Sequence, residues 1–278
     1  MQIKDLSDYV SEIVNEVSGK VIRHTIALFK KINDNDVEAI ASGVLLVHED
    51  KYFIVTAAHV YRDLEGKEDT VGIMIGDNFL TGGQLELTDV NHSEINNRID
   101  LAIIKIDQYI VERIISAELE FFDIRFIHPD CKNETDLPYL ILGYPHKHIH
   151  LNTKTLKFKS KPFVLSTKRV HKNYDKLDAN PDYHILIAYQ KRKIKRIKQK
   201  GVNMGPTPKG LSGSGIWYIP KLIVAKGDKI PYYLTGIFIE HFNEYNTVVA
   251  TRYNILSEIL RQKFKVSLPV SKTIKVNL

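Results

Sequence analysis

Three short stretches of this 278-residue chain carry residue types that can act together on an acyl group. Thr56-Ala57-Ala58-His59 closes the apolar run Tyr52-Phe53-Ile54-Val55, and Asp100 opens Leu101-Ala102-Ile103-Ile104-Lys105-Ile106. The third, Gly210-Leu211-Ser212-Gly213-Ser214-Gly215, sets two serines among glycines. A serine hydroxyl is a weak nucleophile near neutral pH. It needs an imidazole to take its proton, and the imidazole needs a carboxylate to fix its tautomer and stabilise its charged form. In that chemistry His59 is the base, Asp100 its orienter and Ser212 the nucleophile, with Ser214 as the rival. Gly210 and Gly213 bracket Ser212, so the backbone can turn sharply there. The amides of Gly210 and Ser212 can then converge as an oxyanion hole on a developing negative charge. Ser214 has Ser212 rather than glycine two residues earlier, which favours Ser212. Each motif also has a plainer reading: a histidine capping the short turn over residues 60–64, a solvated aspartate at a strand start, a Gly/Ser hairpin loop. The three in this order and context are far more specific than any one of them.

The elements that must position these residues are mostly strands. Residues 3–18 place Ile3, Leu6, Val10, Ile13, Val14 and Val17 at three- and four-residue intervals, which predicts an amphipathic helix. Short runs rich in Val, Ile, Phe and Tyr follow at 25–32, 37–47, 52–56, 71–75, 101–106, 139–143, 162–170, 183–189, 216–219, 232–240 and 247–250. Turn residues separate them, as in Asn33-Asp34-Asn35-Asp36 and Gly82-Gly83, the pattern of a barrel or sandwich. The polar stretch 123–137 reads as a boundary between two halves. Residues 253–264 read as a closing helix, with Ile255, Leu256, Ile259, Leu260 and Phe264 on one side.

The chain order His, Asp, Ser resembles the trypsin/chymotrypsin-like serine protease superfamily. Ala41-Ser42-Gly43-Val44 resembles the strand before the histidine motif in that family, and Ile141-Leu142-Gly143-Tyr144-Pro145 the strand opening its second barrel. Leu234-Thr235-Gly236-Ile237-Phe238 resembles its substrate-binding strand after the nucleophile. The resemblance spans about residues 22–264. It implies an all-β fold of two packed Greek-key β-barrels with an added N-terminal helix (1–21) and a C-terminal helix and tail (253–278). The first barrel, 22–122, would carry His59 and Asp100; a linker, 123–137, would lead to a second barrel, 138–252, carrying Ser212. The implied activity is that of a serine endopeptidase working through an acyl-enzyme, with protein or peptide as substrate. A protease-like fold kept as a partner-regulated binding or scaffold module is the alternative. Leu211 stands where digestive members have the aspartate that a freed N-terminus pairs with, so that activation route is not expected. Ser214 stands where glycine is commoner, and the chain looks more like the bacterial intracellular and stress-type branch. The resemblance places Pro206 at the floor of the primary pocket and Ile239, Glu240 and His241 along its wall. Without an aspartate at 206 an apolar or small residue is the expected substrate side chain, unless Glu240 points inward.

Composition bounds the rest. The chain is 44% hydrophobic and 26% charged, ordinary for a folded soluble protein, and no apolar run reaches the ~18–20 residues a membrane span needs. The first twenty residues intersperse Lys4, Asp5, Asp8, Glu12 and Glu16, so no secretory signal is expected. Cys131 is the sole cysteine, which precludes an internal disulfide and fits a cytoplasmic, reducing compartment. His146-Lys147-His148-Ile149-His150 would put three imidazoles on one face if it were a strand. It follows Gly-Tyr-Pro, however, and no Cys or acidic ligand accompanies it, so an exposed loop is expected, with no metal and no cofactor. The net charge is +6, and seven basic residues crowd the ten-residue run Lys191-Arg192-Lys193-Ile194-Lys195-Arg196-Ile197-Lys198-Gln199-Lys200. Such a run could contact an acidic partner or a nucleic acid. It lacks interleaved aromatics, and a solvated loop is its default reading.

Overall fold

The computed structural model describes residues 6–33, 36–62, 64, 70–88, 98–126, 138–152, 157–191, 194–195, 202–203, 205–222 and 227–271. Helix α1 (Leu6–Val21) leads into strands β1 (Thr25–Asn33), β2 (Asp36–His48) and β3 (Lys51–Thr56), then the one-turn helix α2 (His59–Arg62). Strands β4 (Val71–Ile75), β5 (Asn78–Leu80), β6 (Gln84–Leu87) and β7 (Ala102–Lys105), helix α3 (Gln108–Ser116) and strand β8 (Phe122–Asp123) complete the first half. They form an antiparallel sheet in the order β5-β4-β1-β2-β3-β7-β6, with β8 added parallel to β2.

The second half holds β9 (Tyr139–Gly143), β10 (Ile149–Asn152), β11 (Lys157–Ser160), β12 (Phe163–Thr167), β13 (Arg169–Val170), β14 (His184–Ala188), β15 (Ile194–Lys195), β16 (Val202–Asn203), β17 (Gly215–Tyr218), β18 (Tyr233–Phe242) and β19 (Thr247–Arg252), then α4 (Tyr253–Lys263). Its main sheet runs β12-β9-β17-β18-β19-β14-β13, and β10-β11 and β15-β16 are two-stranded ribbons.

Alternate residues of a strand face opposite ways, and here both faces are buried. Tyr139 and Ile141 point into the second sheet's own interior with Ile187, Ile216 and Phe238. Their neighbours Leu140 and Leu142 point the other way, into a cluster shared with Val44, Leu46, Phe53 and Val55 of the first sheet. Leu45, Ile54 and Ile104 line the first sheet's interior instead. Strands covered on two sides read as near-continuous apolar runs, which is why 52–56, 101–106 and 139–143 stand out in the sequence. Ile13, Val14 and Val17 of α1 and Ile255, Leu256, Ile259 and Leu260 of α4 close the shared cluster.

The sequence reading departs from this architecture in places. The helix expected at 3–18 runs on to Val21, residues 3–5 lying outside the described ones, and the segment 162–170 is two strands rather than one. Helix α3 was not anticipated, although its buried Ile110, Val111 and Ile114 have helical spacing. The short edge strands β5, β6, β10 and β11 carry too few apolar residues to be read. Most of the expected boundary, 127–137, lies outside the described residues, as does Cys131. So does the basic run, apart from the backbone of Ile194 and Lys195 in β15 and residue Lys191. Among the described residues no helix is long and apolar enough to cross a membrane.

Candidate active site

His59 follows β3 through Ala57 and Ala58, both fully buried, and begins α2. Small side chains are needed because this turn lies against the chain entering β7, where Ala58 N–H donates to the Asp100 carbonyl at 3.2 Å. Thr88 braces the same chain. Its Oγ1 donates to the Ile99 carbonyl at 2.6 Å and accepts from Leu101 N–H at 3.0 Å. The Asp100 carboxylate is thereby brought under His59. Oδ2 accepts from His59 Nδ1 at 2.6 Å, and Oδ1 accepts from His59 N–H at 2.8 Å and from Arg62 Nη2 at 2.7 Å. Burial would raise the Asp100 carboxyl, but the hydrogen bonds and charge of His59 and the Arg62 guanidinium outweigh it and carry it below the usual carboxylate range. An ionised carboxylate can only accept, so Nδ1 keeps its proton and Nε2 is left for the cleft.

The loop that carries Ser212 is held peptide by peptide. The carbonyls of four successive residues are engaged: Lys209 by His146 N–H (2.9 Å), Gly210 by Ser42 Oγ (2.8 Å), Leu211 by Ser214 N–H (2.9 Å) and Ser212 by Ser42 N–H (2.8 Å). Leu211 N–H donates to the Pro208 carbonyl and Gly213 N–H to the Phe238 carbonyl, each at 2.8 Å. Among the described residues, Gly210 N–H and Ser212 N–H meet no acceptor. Gly210 takes φ +92°, and a Cβ there would stand 2.6 Å from His146 N, so the position needs glycine. Gly213, at φ +83°, would press a Cβ to 2.0 Å from the Ser42 carbonyl.

His59, Asp100 and Ser212 line one cleft of about 460 Å³, together with Arg62, Arg98, Pro208, Lys209, Phe238, Ile239, Glu240 and His241. Ser214 is fully buried and does not line it. The three residues expected along the pocket wall, Ile239, Glu240 and His241, are present. Pro206 is not among the lining residues: it is buried, and its carbonyl accepts from the Tyr189 hydroxyl at 3.0 Å. Glu240 faces Arg98 Nη2 in an ion pair across the cleft. Burial holds His241 below its ordinary pKa and so neutral at pH 7.

Sequence reasoning missed Ser42, Thr88, Arg62 and Arg98. Ser42 and Gly210 lie 168 positions apart, a proximity no local pattern announces. The three-histidine segment divides between a 3₁₀ turn over His146–His148 and β10. His146 Nε2 stands 3.3 Å from a Glu38 oxygen and His148 packs edge-on to Phe163. Among the described residues no group of His, Cys, Asp and Glu could hold a metal ion.

No protein-family model matches the chain. No curated protein matches it either. Solved structures do. The VesB protease of Vibrio cholerae superposes with a TM-score of 0.50 at 14% identity, covering 89% of this chain and 65% of that one. The chain thus spans about two thirds of that protein's length. A Glu endopeptidase matches with a TM-score of 0.44 at 13% identity, over 84% of this chain and 86% of that one. With the two antiparallel sheets described above, the likeness to VesB shows the fold: two packed β-barrels of the chymotrypsin-like type, with a few helices.

Proposed function

We propose that this chain, built on the fold of the trypsin/chymotrypsin-like serine proteases, is a serine endopeptidase. One observation carries the reading: Ser212 and an Asp100-bound His59 line one cleft, and the adjoining Gly210 and Ser212 amides meet no acceptor among the described residues. In the reaction, Ser212 Oγ attacks the substrate carbonyl carbon as its proton passes to His59 Nε2. The carbonyl electrons move to oxygen, and Gly210 and Ser212 N–H donate to that oxyanion. Collapse expels the amine, which leaves with the proton from His59, and an ester on Ser212 remains. Water then attacks the ester as His59 takes its proton. Collapse of the second oxyanion breaks the acyl–oxygen bond with that proton passing to Ser212 Oγ, and the acid product departs and ionises in water. Asp100 stays ionised throughout and keeps Nε2 of His59 turned to the substrate.

Substrate would bind as an added strand. Pairing between β17 and β18 ends at Gly215 and Ile237, so the stretch 239–241 of β18 meets the cleft beyond its β17 partner. Phe238 and Ile239 supply apolar lining, and the Glu240 charge is paired with Arg98. Both features support an uncharged, apolar or small residue on the acyl side of the scissile bond.

Digestion of an unfolded protein substrate, with new N-termini read by mass spectrometry, tests the assignment. The native chain should cleave, and Ser212→Ala should fall below detection, since losing a triad nucleophile costs about 10⁶-fold. Cleavage that survives Ser212→Ala would remove the endopeptidase reading, and a folded native chain without cleavage would favour the binding-module alternative.

A further inference from the structure

We infer that Ser42, a residue of the first barrel, is the positioning residue that holds the nucleophile loop with its two free amides in place; this rests on the endopeptidase reading above. Each peptide here is trans, so its N–H points opposite to its carbonyl. Fixing a carbonyl therefore aims the amide of the next residue. Ser42 fixes two of the four loop carbonyls, Gly210 through its hydroxyl and Ser212 through its N–H, each at 2.8 Å. The other two, Lys209 and Leu211, are fixed by His146 and Ser214 of the second barrel and aim the Gly210 and Ser212 amides directly. Ser42 instead pins the two peptides that flank the Ser212 amide, one of which also flanks the Gly210 amide.

Ser42 is itself tethered on three sides. It is fully buried, its carbonyl accepts from Thr56 Oγ1 at 2.7 Å, and its Oγ accepts from Tyr144 N–H at 2.8 Å. The hydroxyl thus spends its one proton on Gly210 and accepts one from Tyr144, joining β2, the turn after β9 and the nucleophile loop. Gly143 leaves the room this requires, since a Cβ there would stand 2.8 Å from Ser42 Oγ and 1.9 Å from Ser214 Oγ. Without the hydroxyl, the Gly210–Leu211 peptide keeps a tether on its N–H side alone, at the Pro208 carbonyl. Rotation of that peptide changes φ of Leu211 and so shifts the Leu211–Ser212 peptide, which carries the Ser212 amide.

Ser42→Ala removes the hydroxyl and adds no volume. In the full-length chain, kcat on a peptide substrate and the second-order rate of labelling by a fluorophosphonate should both fall at least tenfold, roughly, bounded by the ~10²–10³-fold cost of losing a whole oxyanion donor. KM should stay within about twofold, because the hydroxyl acts on the transition state through the loop and not on the bound peptide. Amide hydrogen exchange at Tyr144 and Leu211 should accelerate. Ser42→Cys, which fills the site with a weak donor, should lose less in the same direction and serves if Ser42→Ala does not fold. Unchanged kcat in a folded variant, or a loss carried wholly by KM, would overturn the inference. If the native chain neither cleaves nor labels, the endopeptidase reading falls. The exchange experiment then still decides the loop-holding role of Ser42, with unchanged Tyr144 and Leu211 exchange counting against it.

Discussion

The Asp100 carboxylate, nearly buried, accepts from three donors supplied by His59 and Arg62, and its low pKa follows from them. A carboxyl lowered by folding adds stability that is fully present above its unfolded value near ~3.9 and is lost as pH falls through the folded value. Asp100→Asn should therefore flatten the acid limb of a urea-unfolding profile below about pH 4. It should also reduce kcat by roughly 10³–10⁴-fold at neutral pH, because an amide can present N–H to His59 Nδ1 and reverse the tautomer. A substitution that left both the acid limb and kcat intact would contradict the role given to this residue. At this scale residue type and immediate flanks were enough to single out His59, Asp100 and Ser212, which the structure brings to one cleft. Ser42, Thr88 and Arg98 were not legible, because their contacts come from chain segments brought together only by the sheets.

Among the elements, the strands buried on both faces could be read from sequence with their ends nearly in place, β4 and β9 among them. Helix α3 was missed because its apolar residues, Ile110, Val111 and Ile114, continue the apolar character of β7 with only a short polar break. The loop before β7 and strand β18 also meet in a way no local pattern records. Arg98 pairs with Glu240, lies 5.8 Å over the Phe242 ring, and its carbonyl accepts from His184 Nε2 at 3.2 Å. Both ion-pair side chains are more than a third exposed, so the pair adds under ~1 kcal/mol to stability. Its consequence belongs to selectivity. Glu240→Gln frees the Arg98 charge and should raise kcat/KM several-fold for peptides with an acidic acyl-side residue, and Arg98→Gln should do the same for basic ones. Cleavage-site profiling of both variants checks this, and identical profiles would show that the pair does not border the bound peptide.

Over the whole molecule, two buried histidines link the halves. His24 contacts the Glu120 carbonyl through Nδ1 at 2.9 Å and the Tyr232 hydroxyl through Nε2 at 3.2 Å, with Phe122 and Trp217 around its ring. His184 accepts from Asn180 N–H at 3.0 Å and reaches back to Arg98. Burial lowers the pKa of both, so the unfolded chain binds more protons than the folded one below its value near ~6.5. Their contribution is fully present above that pH and is lost as pH falls through the lowered folded values, at up to about 1.4 kcal/mol per pH unit for each histidine. Unfolding free energy should accordingly decline between about pH 7 and pH 5, before Asp100 titrates; a flat profile there would mean that neither histidine is held neutral. The shared core that α1 and α4 close brings Ser212 of the second barrel to His59 and Asp100 of the first, and the whole account depends on that meeting being reactive. The most direct measurement is intact-mass and peptide mapping of the folded chain after treatment with a fluorophosphonate. A single adduct on Ser212, absent in His59→Ala, is the expected result. No adduct, or an adduct on another residue that persists without His59, would contradict the account.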